Sequence, residues 1–587
     1  MARQASAAFE MVPWGFLFSV NSLSVSLQTM MKKLIKAAQN HLQRDTIIYR
    51  AGSKAYSLLC FLLRSLKVTP GFFESDLNLI RKILRESLAC KLAAEGSRIA
   101  FFTPRGWPVH LAFETLLASR LRLDGHSVTF LSCLGSLPLC AYGSINHPPE
   151  LQRDCRTCIN NKKALWDQTF DVKHLQASAF IKDSIDGIVP TLNLENCLNF
   201  EYDGAPYGKL VYRGVVWYLR RSRINEADLQ TYRAVLISAH IVRRGLEYFL
   251  SKNNVDTVLM LNGDFFLEKV ASWVLSKKGI RFVTYDYTFH DLLATAVNRS
   301  IWDDLSFDND NRFHQFRASP EDRRKAEEIL QSWRERGGYQ GHLFWSSKDL
   351  NSAEDLQKHL NLDSRPLAVA YTNMTFESSV ICKNRVFVDQ FEWLKKLIDF
   401  FREYSEFQLV IRLHPAEVRQ SHWKTNESLY QFVMNELPKL PTNVRTVAPN
   451  EKISSYRLGK ISDAVLVYSS SLGMELADLN KCVITAAHVH YSNHGFSIDP
   501  GSESEYFRSI QHALLNKASL SKNHRQHLVD YVAWLFLHRL TPFEALSEIQ
   551  EGWPQVDISK LEDLVLSHYP GIQRIAGLIS NGCKWWV

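Results

Sequence analysis

The sequence predicts an α/β chain with two Rossmann-like domains behind an N-terminal helical extension. Three observations predict it. Short apolar runs that read as buried strands recur at 98–103, 127–132, 255–261 and 281–287, and again at 366–372, 407–413, 444–448, 464–468 and 482–486. Helix-patterned segments separate them, as with Phe387, Phe391, Leu394, Leu397, Ile398 and Phe401 at helical spacing. The chain has 587 residues, 46% of them hydrophobic, which is enough for two or three cores.

Residues 1–95 read as the helical extension, with basic and apolar positions alternating over Met31–His41 and Leu58–Leu66. The apolar patch Trp14–Val20 follows Glu10 and Pro13 and makes a poor signal peptide, and Met30-Met31 offers a second start. The first domain, 96–317, opens with strand 98–103 and the turn Pro104-Arg105-Gly106-Trp107-Pro108. A helix follows with Leu111, Leu116, Leu117 and Leu121 on one side, stopped by Asp124-Gly125. An insert at about 140–230 interrupts the domain before strands 255–261 and 281–287, with helix 264–277 between them. Residues 318–365 form the interdomain connection. Its charged helix starts at Ser319-Pro320-Glu321-Asp322 and ends at Gly337-Gly338. The second domain spans 366–552, with 504–551 read as helical, and 553–587 is a tail that also reads as largely helical. The chain has no internal repeat and no low-complexity segment.

Lys+Arg 69 against Asp+Glu 61 gives a net charge of +8, a mild excess over this length. It fits an anionic small ligand or peripheral attachment to an anionic membrane, and the lack of a long basic block argues against nucleic acid. No apolar run is long enough to predict a spanning helix. Aromatic residues make up 12%, with 14 Trp; they stack on sugars or bases, or more commonly pack cores. The 10 cysteines do not form a disulfide framework, which points to a reducing cytoplasm. Cys155-Arg156-Thr157-Cys158 has zinc-ligand spacing, whereas Cys133 and Cys140 do not. Reduced thiols are the leading reading there, and a structural zinc is the alternative.

Chemistry is expected at the strand ends. The run 464–468 drops into Ser469, Ser470 and Ser471, then Leu472-Gly473 and a helix carrying Glu475. Backbone N–H groups and hydroxyls at a helix start suit a phosphate, and Glu475 can accept from ribose hydroxyls. The bland alternative is a serine cap. Arg412-Leu413-His414-Pro415-Ala416-Glu417 ends a second strand. Ligands of open α/β sheets bind beyond the carboxyl ends of strands, so Arg412 and His414 fall where a phosphate leaving group would need neutralising. A histidine that caps the proline-started turn is the alternative. A base for an acceptor hydroxyl is sought among Asp264 and Asp286, at first-domain strand ends, and Glu114 on the first helix. Each also reads as a capping or solvated acid. No Asp-x-Asp metal motif is present.

From about 366 to 535 the chain resembles the capsule polysaccharide biosynthesis protein family, which includes CMP-Kdo-dependent transferases. The resemblance rests on TNMTFES (Thr372–Ser378), FEWLKKLIDFF (Phe391–Phe401), RLHPAE (Arg412–Glu417), SSYRL (Ser454–Leu458), VYSSSLGMELA (Val467–Ala477) and YSNHGFS (Tyr491–Ser497). Residues 98–140 and 257–290 resemble, less sharply, N-terminal halves of related carbohydrate-biosynthesis proteins. The resemblance implies a GT-B arrangement, with a nucleotide-sugar donor held by the second domain. His414 and Ser469–Ser471 would grip the donor phosphate and Glu475 the ribose; Asn373, Arg412, Glu417 and Gly473 complete the donor set. The first domain would supply the base, and no metal is required. Ser471 stands where the family commonly has Thr, which keeps the hydroxyl; Cys482 replaces one residue of a common small-Pro step. The implied activity transfers a sugar, with CMP-activated donors among the candidates, to a bacterial capsule or other surface polysaccharide or its lipid-linked precursor. It would act in the cytoplasm or at the inner membrane face. A polyol-phosphate transferase of teichoic-acid type and a non-catalytic component of capsule biosynthesis or export are the alternatives.

Overall fold

The computed structural model describes residues 74–91, 95–142, 151–166, 171–175, 185–288, 292–305, 311–336, 352–418, 425–436, 439–516, 523–550, 553–565 and 569–581. The chain divides into two compact units, Met1–Leu79 and Ile80–Val587. Of the first unit only 74–79 are described, the opening of helix α1 (Glu74–Leu88). The rest of the expected helical extension, with its apolar patch and Met30-Met31, lies outside the described residues. Among the described residues, no helix is long and apolar enough to cross a membrane.

The larger unit holds two α/β domains. Seven strands build the first sheet: β1 (Arg98–Thr103), β2 (Ser127–Ser132), β3 (Asp171–His174), β4 (Thr257–Leu261), β5 (Arg281–Thr288), β6 (Leu292–Val297) and, from far along the chain, β12 (Thr541–Pro542). Their order is β12-β6-β5-β4-β1-β2-β3. The five from β5 to β3 are parallel; at one edge β6 pairs antiparallel with β5, and β12 antiparallel with β6. After β1 the chain builds outward to β3, then returns to the other side of β1 for β4. The switch point therefore lies between β1 and β4.

Helices α2 (Pro108–Leu123), α3 (Leu151–Trp166), α4 (Tyr207–Leu219), α5 (Leu229–Lys252) and α6 (Phe266–Lys277) belong to this domain. The stop after α2 is as expected, with Gly125 at φ +92°, where L side chains are strained. The expected insert is more regular than its sequence suggests. Its residues 171–174 complete the sheet, and α4 and α5 pack with β1, β2 and β4 into one core.

Helix α7 (Pro320–Arg336) begins with the expected cap: Ser319 Oγ accepts from Asp322 N, and Asp322 accepts from Ser319 N. The second sheet contains β7 (Leu367–Tyr371), β8 (Gln408–Arg412), β9 (Val444–Val447), β10 (Ala464–Val467) and β11 (Cys482–Thr485), all parallel, in the order β11-β10-β7-β8-β9. Every residue of β7, β8, β10 and β11 is buried, as a sheet covered on both faces requires. Its switch point lies between β7 and β10. Helix α8 (Gln390–Glu403) covers one face through Trp393, Leu394, Leu397, Ile398 and Phe401, and Asp389 caps it by accepting from Glu392 N. Helices α9 (Ser455–Ile461), α10 (Leu472–Asp478), α11 (Glu503–Asn516) and α12 (His524–Ala533) complete the domain.

The helical reading of 504–551 holds only through α12 and a π-helical turn at Trp534–Arg539. Beyond it come β12 and a hairpin, β13 (Leu546–Gln550) with β14 (Trp553–Val556). Pro542 and Pro554 exclude a continuous helix there, since proline lacks the N–H and clashes with the preceding turn. Residues 541–542 thus join the first sheet although they fall inside the expected second domain. The tail also returns to the first domain: in α13 (Pro570–Asn581), the carbonyls of Leu578 and Ile579 accept from the Arg281 guanidinium at 2.5 and 3.1 Å. Two Rossmann-like domains, with the chain crossing back to the first at its end, give the expected GT-B arrangement.

Ile579 is fully buried in this returning helix. Ile579→Ala is expected to cost about 2–5 kcal/mol, read as a lower urea midpoint.

Candidate active site

Three neighbouring strands of the second sheet end side by side. Val467 pairs with Tyr371, and Tyr371 with Arg412, so Ser469, Asn373 and His414 follow β10, β7 and β8 at the same level. Hydrogen bonds tie these ends together. Ser469 N–H donates to Asn373 Oδ1 at 3.2 Å, and His414 N–H donates to Thr372 Oγ1 at 2.9 Å. The strand ends at the β7–β10 switch point, where ligands of open α/β sheets bind, are therefore cross-linked.

His414 is half-buried, and its Nδ1 accepts from Ala416 N at 3.2 Å. Pro415 starts the short turn that sends that N–H back to the ring. With Nδ1 an acceptor, the proton of the neutral imidazole resides on Nε2, which then serves as a donor. Ser469 is buried, and its Oγ has no hydrogen-bond partner among the described residues. Ser470 and Ser471 are half-buried; Ser470 Oγ accepts from the N–H of Leu472, the first residue of α10, at 3.3 Å, whereas Ser471 does not cap the helix through its side chain. Helix α10 has only seven residues, and the N–H groups of Leu472, Gly473 and Met474 are taken up by Ser470 Oγ, Ser470 O and Ser471 O, so the serine hydroxyls rather than the helix dipole carry the chemistry here. Gly473 has a packing reason: a Cβ there would stand 1.9 Å from the hydroxyl of Tyr491, which donates to Ser470 O.

Other expected donor residues face inward. Arg412 is buried and donates to the Ala448 and Glu451 carbonyls at 2.7 and 3.5 Å, holding the turn after β9. Glu417 accepts from Ser428 Oγ and Tyr430 N, and Glu475 accepts from Tyr456 Oη at 2.6 Å. These three are engaged by neighbouring turns of the second domain.

On the first domain, Asn262 and Asp264 follow β4, and Asp286 sits in β5. Asn262 Nδ2 donates to Asp286 at 3.2 Å. Asp286 is half-buried, and desolvation pushes its pKa up to about 7. Asp264 is buried and ion-paired with Arg213 at 2.8 Å; burial raises its pKa against that pull. Glu114 lies inside the domain, where it accepts from Thr103 Oγ1 at 2.5 Å and Tyr285 Oη at 2.8 Å, and burial raises it to about 7.

Arg213 also joins the domains. Its guanidinium donates to Asp264, Asp303 and, across the interface, to the Ser378 carbonyl at 2.9 Å. Lys383 Nζ reaches back to Trp302 O at 2.8 Å, with its pKa lowered to about 8, chiefly by burial. Glu377, beside Ser378, is 3.5 Å from Asn373 Nδ2, and burial raises it to about 7. Sequence reasoning singled out none of Arg213, Lys383 and Glu377 as site residues. Glu377 lies inside TNMTFES, directly after the switch-point strand, which was its available signal. The cysteine group carries no assignment: among the described residues, no three or more His, Cys, Asp or Glu side chains are arranged to hold a metal ion.

No protein-family model matches the chain, and no curated protein matches it. Solved structures do. The Thermosulfurimonas dismutans KpsC, beta Kdo 2,4 transferase, is similar at 13% identity over 53% of this chain and 88% of that chain, with a TM-score of 0.34. The beta Kdo 2,7 transferase from the same organism matches at 13% identity over 54% and 86%, TM-score 0.32. The UDP-GlcNAc 2-epimerase of Methanocaldococcus jannaschii matches at 11% over 75% and 99%, TM-score 0.25.

Two outcomes are expected. Gly473→Ala must displace Tyr491 and should cost about 1–3 kcal/mol in chemical unfolding. Glu114 carries a raised pKa in the folded state, so its protonated form favours folding. Its contribution is full below pH 4.5 and lost as pH rises to about 7. Glu114→Gln should remove a stability decline on the order of 3 kcal/mol over that window, measured by urea midpoints against pH.

Proposed function

We propose that the protein is a glycosyltransferase that takes a sugar from a nucleotide-sugar donor, bound at the β7–β10 switch point, to a glycan acceptor on the first domain. The observation that carries this reading is the cross-linked set of strand ends. Asn373, His414 and Ser469–Ser471 present donor groups side by side, and one buried hydroxyl among them still needs a partner. That chemistry suits the phosphate of a departing nucleotide. The motif resemblance of 366–535 supports a capsule or surface polysaccharide as the product and keeps CMP among the candidate nucleotides.

Asp286 is the base in this reading. Asp264 is committed to Arg213 and Glu114 to Thr103 and Tyr285, whereas Asp286 is half-buried with Asn262 orienting it. The acceptor hydroxyl bonds to the anomeric carbon while the bond from that carbon to the phosphate oxygen breaks. The nucleotide leaves with the electron pair, and the hydroxyl proton passes to Asp286. No metal takes part in this scheme: His414 Nε2–H and the serine turn offset the charge on the leaving phosphate.

Titration of CMP and UDP by calorimetry tests the donor half. One of them should bind, and His414→Ala and Asn373→Ala should each weaken it by about 10–100-fold, as lost charge-assisted hydrogen bonds predict. Wild-type affinity in both variants overturns the site. Asp286 must be ionised to act, so transfer should rise with pH through about 7, and Asp286→Asn should abolish that limb and lower kcat by about 10²–10⁴ with nucleotide affinity unchanged.

A further inference from the structure

A second cluster lies at the switch point of the first sheet, between the ends of β1 and β4, outside the donor crevice. Its centre is Phe265. Trp107 packs edge-on to it at 5.7 Å and Trp217 at 4.5 Å. A guanidinium backs each tryptophan: Arg105 lies 4.7 Å from both the Trp107 and Phe265 rings, and Arg220 lies 4.2 Å from Trp217. His110 extends the row at 5.8 Å from Trp107. Both tryptophans and His110 are half-buried, while Phe265 and Arg105 are buried.

The polar atoms around these rings are under-satisfied. Arg105 pairs one nitrogen with the buried Glu268 carboxylate, but its Nε and Nη1 have no hydrogen-bond partner among the described residues. The same holds for Glu268 Oε2, Asp264 Oδ2 and His110 Nδ1. Buried polar atoms are nearly always paired, so such a group around one residue marks a place where something else supplies hydroxyls. Flat apolar faces beside unmet donors and acceptors match a pyranose, which has an apolar ring face and a rim of hydroxyls. Charge does not demand an anion, because Glu268 and Asp264 accompany Arg105 and Arg213.

We infer that Trp107, His110, Arg105 and Asp264 form the acceptor subsite of the protein, a stacking platform for a pyranose unit of the glycan. The inference rests on the glycosyltransferase reading. The row points from that subsite toward the donor crevice: Trp217 packs against Met374, Phe376 and Ala416 of the second domain, and Arg220 lies 4.8 Å from the Phe376 ring.

The test uses the full chain and two saccharide probes, a neutral hexopyranose oligosaccharide and a hexuronic-acid oligosaccharide, followed by saturation-transfer NMR. At least one should bind the wild type. Trp107→Ala should weaken it about tenfold or more, and Trp107→Phe, which keeps a smaller ring, by less. CMP or UDP affinity should stay unchanged in both variants; this is also the control for folding, and Trp107→Phe decides if the alanine variant does not fold. Glycan affinity equal to wild type in a folded variant overturns the platform, as does nucleotide binding with neither saccharide bound. Failure of the wild type to bind any nucleotide overturns the glycosyltransferase reading instead.

Discussion

One guanidinium holds the working parts of this protein in register. Arg213 lies on α4 of the first domain, yet it touches three things at once: Asp264 after β4, Asp303, and the carbonyl of Ser378 beyond β7. Both switch points are thereby anchored to a single planar group. An ion pair with Asp264 at 2.8 Å fixes the first-domain turn, and the carbonyl contact fixes the loop that carries Glu377. A lysine has neither the fork nor the reach to do the same.

The two strand-end regions solve the problem of burying polar groups in opposite ways. In the second domain the backbone supplies most of the order: N–H groups of Ser469 and His414 are met by side chains that follow the adjacent strand, beside a buried Ser469 hydroxyl that has no partner among the described residues. In the first domain the order comes from rings and an internal ion pair, and several heteroatoms are left unmet. The first arrangement suits a compact anion, the second a large neutral surface with hydroxyls. The proposed transfer, from a phosphate-bearing donor to a sugar, needs one of each.

Much of the fold was legible in the sequence because parallel strands buried on both faces are continuous apolar runs. Strands β7, β8, β10 and β11 were read within a residue of their ends for that reason. The edge strands β3 and β6, the hairpin and the return of the chain were not, because short or partly exposed strands carry no such run, and pairing with a distant segment leaves no local mark. At the site, His414 and the serines could be read from their position after apolar strands. The inward commitment of Arg412 and Glu475 could not, since it depends on the Ala448–Glu451 turn and on Tyr456, which only folding brings near. Arg213 was invisible for the same reason: its partners lie 51, 90 and 165 residues away.

The return of the chain has a consequence for the order of events at the ribosome. The first sheet ends in β12, and Arg281 waits for carbonyls of α13, so this domain is not complete when its own 200-odd residues have emerged. The second domain, whose five strands lie between 367 and 485 and whose covering helices end at Ala533, can close once α12 is out. Synthesis runs N-terminus first, but completion here runs the other way. Until residues 541–581 arrive, the first domain must persist with an open sheet edge at β6, the kind of edge that invites pairing with another chain.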